Sequence, residues 1–290
     1  MVVLVSGANG QLGQSLQCVA GNYPNIEFVF CSSSELDITS KENCNAIFAQ
    51  TKPDYCINAA AYTAVDKAES EPEKAHLINV IGAKNLAEVC RDFETILLHL
   101  STDFVFDGNK SVPYLENDAT NPKSVYGQTK LEGEKAIQEI FNNYFIIRTS
   151  WVYSQFGNNF LKTILRLAKE RTSLRIVNDQ IGSPTNAVDL ATVLIEIIQF
   201  CSFSFVLGRD DVFGIYNFSN EGSCSWFDFA QKIVEINNIN IDLQPIPTTG
   251  YPTPAQRPSY SVLDKSKIKK AFGIDIKTWE ESLKSVIFPL

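Results

Sequence analysis

Tyr126 and Lys130 stand four residues apart in the segment Ser124-Val-Tyr126-Gly-Gln-Thr-Lys130-Leu-Glu-Gly-Glu-Lys135. That spacing places a phenol and an ammonium on one face of a helix that begins near Tyr126. A free phenol has a pKa near ~10, too high for easy proton exchange at neutral pH, and a nearby ammonium favours the phenolate and lowers it. The pair is then a candidate general acid, delivering a proton to a carbonyl oxygen as hydride arrives. Taken alone, the pattern also fits a plain solvated helix face. Context adds weight: Ser101-Thr102-Asp103 ends a strand whose carboxyl edge should face the same crevice, where open α/β sheets bind ligands. Thr102 could hydrogen-bond the same carbonyl.

Three of the fifteen glycines fall within seven residues, Gly7-Ala8-Asn9-Gly10-Gln11-Leu12-Gly13. They follow an apolar run at 2–5 and open an amphipathic segment carrying Leu12, Leu16 and Val19. Glycines permit the tight turn, bring the backbone close to a pyrophosphate, and let the helix pack near its strand. The helix N-terminus then offers free amides and a positive dipole end to phosphate. A Gly-rich turn without ligand is the alternative. An acidic residue ending the second strand would favour NAD through the ribose 2′-hydroxyl. Here Phe30-Cys31-Ser32-Ser33-Ser34 holds no carboxylate before Glu35, and no arginine clamps a 2′-phosphate. The reading is NADPH, with NADH tolerated.

The elements that must position these groups alternate. Strands are expected at 2–5, 27–31, 54–58, 96–101 and 144–149, with helical periodicity between them. One helix is expected over 73–91, where Asn79, Ala83, Leu86, Ala87 and Cys90 share a face. Another opens at Thr39-Ser-Lys-Glu42, read as a capping box with Thr39 as the cap. Alternation of this kind predicts βαβ units and a Rossmann-like, doubly wound parallel sheet, an α/β fold. Beyond Thr149 the rhythm loosens: helices are expected at 159–170, 188–200 and 226–237, with a short strand near 215–218. Five of the twelve prolines fall in 245–258, which should be extended and rigid. The expected division is a dinucleotide-binding domain at 1–150, with 175–200 packing back onto it. Residues 151–174 and 201–290 then form a smaller, irregular substrate-binding lobe.

The chain has 290 residues and a formal net charge of −8. That acidity argues against a nucleic acid polymer as partner, which requires a basic face. Small anionic ligands would have to be captured by local groups against the overall field. Seven scattered cysteines without a C-x-x-C, and only two histidines, suggest neither a disulfide frame nor a metal site. No apolar run approaches the ~18 residues of a membrane span, and the N-terminus lacks a signal-peptide pattern. The chain reads as cytoplasmic and reduced.

With these motifs together, the sequence resembles the extended short-chain dehydrogenase/reductases, which typically show G-x-x-G-x-x-G and Y-x-x-x-K. More narrowly, it is similar to the dTDP-4-dehydrorhamnose reductase family. The matching stretches are GANGQLG at 7–13, NAAAYTAVDKAE at 58–69, STDFVFDG at 101–108, VYGQTKLEGE at 125–134, RTSWVY at 148–153 and NDQIGSPT at 178–185. YPTPAQRP at 251–258 extends the likeness to the end of the chain.

The resemblance implies NADPH-dependent reduction of the C4 ketone of dTDP-6-deoxy-L-lyxo-4-hexulose to dTDP-L-rhamnose. By position, Tyr126 is the proton donor, Lys130 holds the ribose and tunes Tyr126, and Thr102 polarises the ketone beside Asp103. Ala59, Ala60 and Ala61 would lie along the cofactor, and Asp37-Ile38 near the adenine. Trp151 and Val152 would border the sugar, with Thr63 and Val65 on its other side. Some members carry an acidic residue two positions after the third glycine, used in a metal-bridged dimer. Gln14-Ser15 stands here instead, so neither metal nor that dimer is carried over, and a monomer or homodimer is expected.

Two further features remain. Residues 162–175 hold Lys162, Arg166, Lys169, Arg171 and Arg175 against Glu170, either a diphosphate-attracting face or a solvated basic one. Arg257, in the proline-rich stretch, reads as a ligand-binding residue able to make bidentate contacts. Asn158-Asn159 could cap the helix that follows, while His76 and His99 read as structural. Two other functions fit the same fold: a nucleotide-sugar epimerase or dehydratase, and a non-catalytic regulatory subunit.

Overall fold

The structure is a computed structural model that describes residues 1–206 and 212–286. Residues 207–211 and 287–290, within the expected smaller lobe, lie outside the described residues. Five strands follow one another through the first half: β1 (Val2–Ser6), β2 (Glu27–Cys31), β3 (Tyr55–Asn58), β4 (Ile96–Thr102) and β5 (Tyr144–Thr149). With the strand Gly214–Asn217 they form one six-stranded parallel sheet, in the order 214–217, β5, β4, β3, β1, β2.

Both faces of the sheet are covered, and the strands show it residue by residue. Val3, Val5, Tyr55, Ile57, Phe145 and Ile147 point to one face, where helix α1 (Gln11–Ala20) and the helix Ala187–Val206 pack. Leu4, Cys56 and Ile146 point to the other, against α2 (Lys41–Thr51) and the helices Gly82–Asp92 and Val125–Ile140. Successive strand side chains alternate faces, so a strand buried on both must be apolar throughout. That is the Rossmann-like parallel architecture expected.

Several local expectations shift. Ser40, not Thr39, caps α2, accepting from the Asn43 amide at 3.2 Å, while the Thr39 hydroxyl turns to Asp37. The helix expected over 73–91 is interrupted by a π-helical turn at Leu77–Ile81. Its buried Asn79 side chain spans Tyr62 N and O and Thr129 Oγ1, fastening the loop after β3 to the helix Val125–Ile140. Gly214–Asn217 was expected within the smaller lobe but lies in the main sheet, because its backbone pairs with the free edge of β5. Ile268, Ile274 and Ile276 pack on the same core. A separate apolar cluster joins Tyr153, Leu161, Ile164, Phe229, Ile233, Trp279 and Leu283. There Ser173–Val177 pairs in parallel with Asp242–Ile246. All seven cysteines are free, and no described helix is long and apolar enough to cross a membrane.

One buried ion pair ties helix to sheet. Arg148 of β5 donates through Nε and Nη2 to the two oxygens of Glu134, at 2.9 and 2.6 Å, and Ser101 of β4 donates to the same carboxylate. Arg148 Nη1 reaches the Glu116 carbonyl at 3.0 Å. Removing one partner strands a charge without solvent. Arg148→Met should therefore cost about 3–5 kcal/mol in urea unfolding. The double variant Glu134→Leu/Arg148→Met should recover part of that loss, the remainder reflecting the negative charge that Glu134 lends to buried Lys130.

Candidate functional site

The glycine turn is shaped by close backbone approach. Gly7 sits at φ +69, and a Cβ there would fall 2.7 Å from the Ala60 amide nitrogen. A Cβ on Gly13 would collide with the Gly7 carbonyl and Ala8. Only hydrogen at both positions lets α1 start against β1 and β3. Gly10 precedes α1 without a capping side chain, and the first turn of α1 carries no acidic residue. Its first amides are left for other acceptors.

These amides open into a cleft of about 760 Å³ at the carboxyl edge of the sheet. Asn9, Gly10, Gln11, Leu12, Ala59 and Ala61 line one side. Thr63, Val65, Thr102, Asp103, Tyr126, Lys130, Trp151, Val152 and Arg257 line other parts of it. Five expected residues are not on its wall. Gly7 and Gly13 sit behind the turn they shape, and Ala60 belongs to the loop packed against Gly7. Asp37 bonds to Thr39 and Asn43, and Ile38 is buried against Gly82. Neither of the two lines the cleft itself.

The catalytic-helix candidates arrive together. Ser124 caps the helix Val125–Ile140 by accepting from the Gly127 amide at 3.1 Å, which sets Tyr126 in the first turn. Gly127 itself lies against the Phe104 carbonyl, where any side chain would clash. The Phe104 ring meets Tyr126 edge-on at 5.5 Å. One turn on, Lys130 is buried, donating to the Leu100 carbonyl at 2.6 Å and lying 3.3 Å from His99 Nε2.

The electrostatics differ from the expectation that Lys130 pulls the phenol down. Burial pushes the Tyr126 phenol up to about 12, opposed by the neighbouring Thr102 hydroxyl and helped by the Asp103 carboxylate. Burial lowers Lys130 to about 8, against the pull of Glu134. Both charged forms have lost water, and Nζ is committed to a carbonyl below the phenol. Thr102 is committed too: its hydroxyl donates to Asp103 Oδ1 at 3.0 Å.

Elements from the second half of the chain complete the walls. Trp151 adopts φ +48, a left-handed conformation that is strained for a bulky residue. Its ring stacks on Trp226 at 3.5 Å and covers Gly182, where a Cβ would strike the indole. Trp226 Nε1 donates to Gln180 Oε1 at 3.2 Å. Trp226 and Gln180 line the cleft, although no spacing pattern in the sequence singles either out. Gln11 accepts from Asn159 Nδ2 at 2.9 Å, so the start of α1 is tied to the loop before Phe160–Glu170. Asn159 also caps that helix, as expected.

Arg257 reaches the cleft already paired. Its Nη1 and Nη2 meet Asp66 Oδ1 and Oδ2 at 2.5 and 2.8 Å, and the Ala255 amide joins at 3.2 Å. The guanidinium holds the Asp66 carboxyl below the usual range. This pair pins the proline-rich stretch to the segment after β3. By contrast, Lys162, Arg166, Lys169, Arg171 and Arg175 are absent from the cleft wall. Arg166 pairs with Glu170 on the surface, Lys169, Arg171 and Arg175 are exposed, and Lys162 is half-buried beside the Gln155 carbonyl.

Comparison with known proteins agrees on one family. The model of the RmlD substrate binding domain matches residues 1–290. The dTDP-4-dehydrorhamnose reductase of Aggregatibacter actinomycetemcomitans is 44% identical, over 98% of this chain and 97% of that protein. A solved dTDP-4-dehydrorhamnose reductase from Clostridium acetobutylicum superposes with a TM-score of 0.92 at 40% identity, covering 99% of this chain and 98% of that one. The Bacillus anthracis enzyme, solved in complex with NADP, gives 0.91 at 37% identity, covering 98% of each chain.

Asp103 stands out energetically on this wall. It is buried; among the described residues its Oδ2 has no partner at full hydrogen-bond geometry, and Ser261 Oγ lies near enough only to soften the carboxylate's burial. Burial raises its carboxyl from 3.8 to about 6. A pKa raised on folding means the folded state binds the extra proton, so stability is present at acid pH and lost as pH rises from about 4 to 6. The loss amounts to about 3 kcal/mol above pH 6. Asp103→Asn cannot ionise, and its amide can donate to Ser261. Urea unfolding should show the variant more stable at pH 7.5 and level with the parent at pH 4.

Proposed function

The chain belongs to the dTDP-4-dehydrorhamnose reductase family, that of the RmlD substrate binding domain, and from that membership we propose the following reaction. It reduces the C4 ketone of dTDP-4-dehydro-L-rhamnose to dTDP-L-rhamnose with NADPH, NADH being tolerated. When bound, the nicotinamide supplies the hydride. The residues present suit such a cofactor. The turn is kept free of side chains at Gly7 and Gly13, the α1 amides are unclaimed, and Ala59 and Ala61 keep the facing wall low. The single observation that carries the reading is that Tyr126, Lys130 and Thr102 share one cleft with that turn.

Tyr126 donates its proton to the ketone oxygen. A phenol near 12 is fully protonated at working pH, and the alkoxide that forms on reduction is a stronger base still. Lys130, near 8, is mostly charged at pH 7; its ammonium steadies the phenolate left behind and holds the cofactor ribose. Thr102 polarises the ketone once its hydroxyl turns from Asp103. Trp151, Val152, Thr63 and Val65 flank the sugar, and Arg257 meets the diphosphate at the mouth of the cleft. The same proposal assigns the dinucleotide to residues 1–150 with 175–200. The sugar nucleotide goes to 151–174 and 201–290, except for Gly214–Asn217 in the main sheet.

Two measurements check this reading. Tyr126→Phe should lower ketosugar-dependent NADPH oxidation, followed at 340 nm, by about 100-fold or more, the range of a lost general acid. NADPH binding should change by less than about twofold. Unchanged turnover would overturn the mechanism. At the end of β2, the Glu35 carboxylate folds back to accept from Ser32 N and Oγ, both at 2.7 Å. This carboxylate is the first acid after β2, the strand whose end sets NAD against NADP preference in such sheets. Glu35→Ala should raise the NADPH-to-NADH ratio of kcat/KM several-fold.

A further inference from the structure

Beneath the cleft runs a chain of buried polar groups that the proton donation above leaves unused. Ser6 Oγ donates to Asn58 Oδ1 at 2.7 Å, and the Ala60 amide donates to the same atom at 3.2 Å. A backbone N–H can only donate, so that atom is the carbonyl oxygen and the other terminus of Asn58 is its amide nitrogen. Asn58 Nδ2 lies 3.0 Å from His99 Nδ1, which therefore accepts. A neutral imidazole that accepts at Nδ1 carries its proton on Nε2. His99 is neutral: burial, then the Lys130 charge, hold it well below the ordinary histidine range.

His99 Nε2 lies 3.3 Å from Lys130 Nζ. An ammonium has three donors and no acceptor. Facing Nε2–H, it sets donor against donor, and among the described residues its close acceptor is the Leu100 carbonyl. A neutral amine has a lone pair that can take the Nε2 proton as a hydrogen bond. The contact thus favours the amine.

We propose that His99 is a positioning residue for Lys130: locked by Asn58 as the Nε2–H tautomer, it presents a donor to Nζ and favours the amine over the ammonium. The idea rests on the reading of Lys130 as the partner of Tyr126. The other groups around Nζ act differently. Glu134, one turn along the same helix, favours the ammonium, but both its oxygens are taken by Arg148 of β5. Tyr126 stands one turn back as a neutral phenol, and Asp103 follows β4 across the cleft. From the sheet side, His99 supplies the specific contact that discriminates between the two forms of the amine.

The test is a titration of the full chain carrying 13Cε-labelled lysine, with the Lys130 signal assigned by its loss in Lys130→Met. The ligand-free protein should titrate near 8 at this residue. His99→Leu should raise that midpoint by about one pH unit, the worth of one hydrogen bond to the neutral form. His99→Met, equally without a donor, serves if the leucine variant does not fold. His99→Gln, whose amide can accept from Asn58 and donate to Nζ, should stay near the parent value. The alkaline limb of kcat/KM for NADPH oxidation should move with the midpoint. An unmoved Lys130 midpoint in the Leu and Met variants overturns the proposal, as does an equal rise in the Gln variant. A raised midpoint with an unmoved alkaline limb upholds the His99 contact and overturns the catalytic reading of Lys130.

Discussion

A lysine ammonium almost cut off from water is the constraint around which this molecule is arranged. Lys130 is 2% exposed, and a buried charge is tolerable only with partners of its own. Leu100 supplies a carbonyl and Glu134 a neighbouring negative charge. Glu134 is itself buried and requires Arg148 and Ser101. Arg148 in turn engages the Glu116 carbonyl, and the Glu116 carboxylate accepts from the Asn217 amide. One line of obligations thus runs from the cleft floor through the helix, β4 and β5 to the edge strand. Moving any member would expose a charge to apolar packing.

The same logic explains how an acidic chain can serve anionic ligands. Its net charge of −8 is spread over the whole molecule, whereas capture depends on groups within a few ångströms, where the cleft walls limit screening. The unclaimed amides of α1, Lys130 and Arg257 are brought to one concavity. Asp66 pairs with Arg257 and offsets that guanidinium within the cleft itself. Asp103 carries the opposite sign on the same wall, at a cost in stability.

Much of this was legible from local pattern. The parallel strands appear as short apolar runs because both faces of each are buried, and the glycines of 7–13 mark a turn that excludes side chains. Tyr126 and Lys130 declare a shared face through helical spacing alone. Other features were hidden because they depend on partners distant in sequence. The π turn at Leu77–Ile81 belongs with the bonds that Asn79 makes to Tyr62 and Thr129. Thr39 and Ser40 are equally good caps by type, and Asp37 decides between them by taking the Thr39 hydroxyl. Trp226 and Gln180 reach the cleft through packing that no periodicity announces. The basic run at 162–175 reads the same whether it faces ligand or solvent.

By itself, the sequence determined the α/β class, the order of the strands along the chain, the glycine turn after the first strand and the residues of the Tyr–Lys face. These follow from period, residue type and short spacings, all of which are local. Only the tertiary structure decided the proton states: Tyr126 pushed up, Lys130 pushed down, and His99 turned from an apparent core residue into the neighbour of Nζ. A pKa in a folded chain is set by lost water and by groups brought in from other strands, and neither is written in the residues next to it. The likeness to a reductase could be read along the chain, but the electrostatic setting of its cleft exists only once that chain has folded.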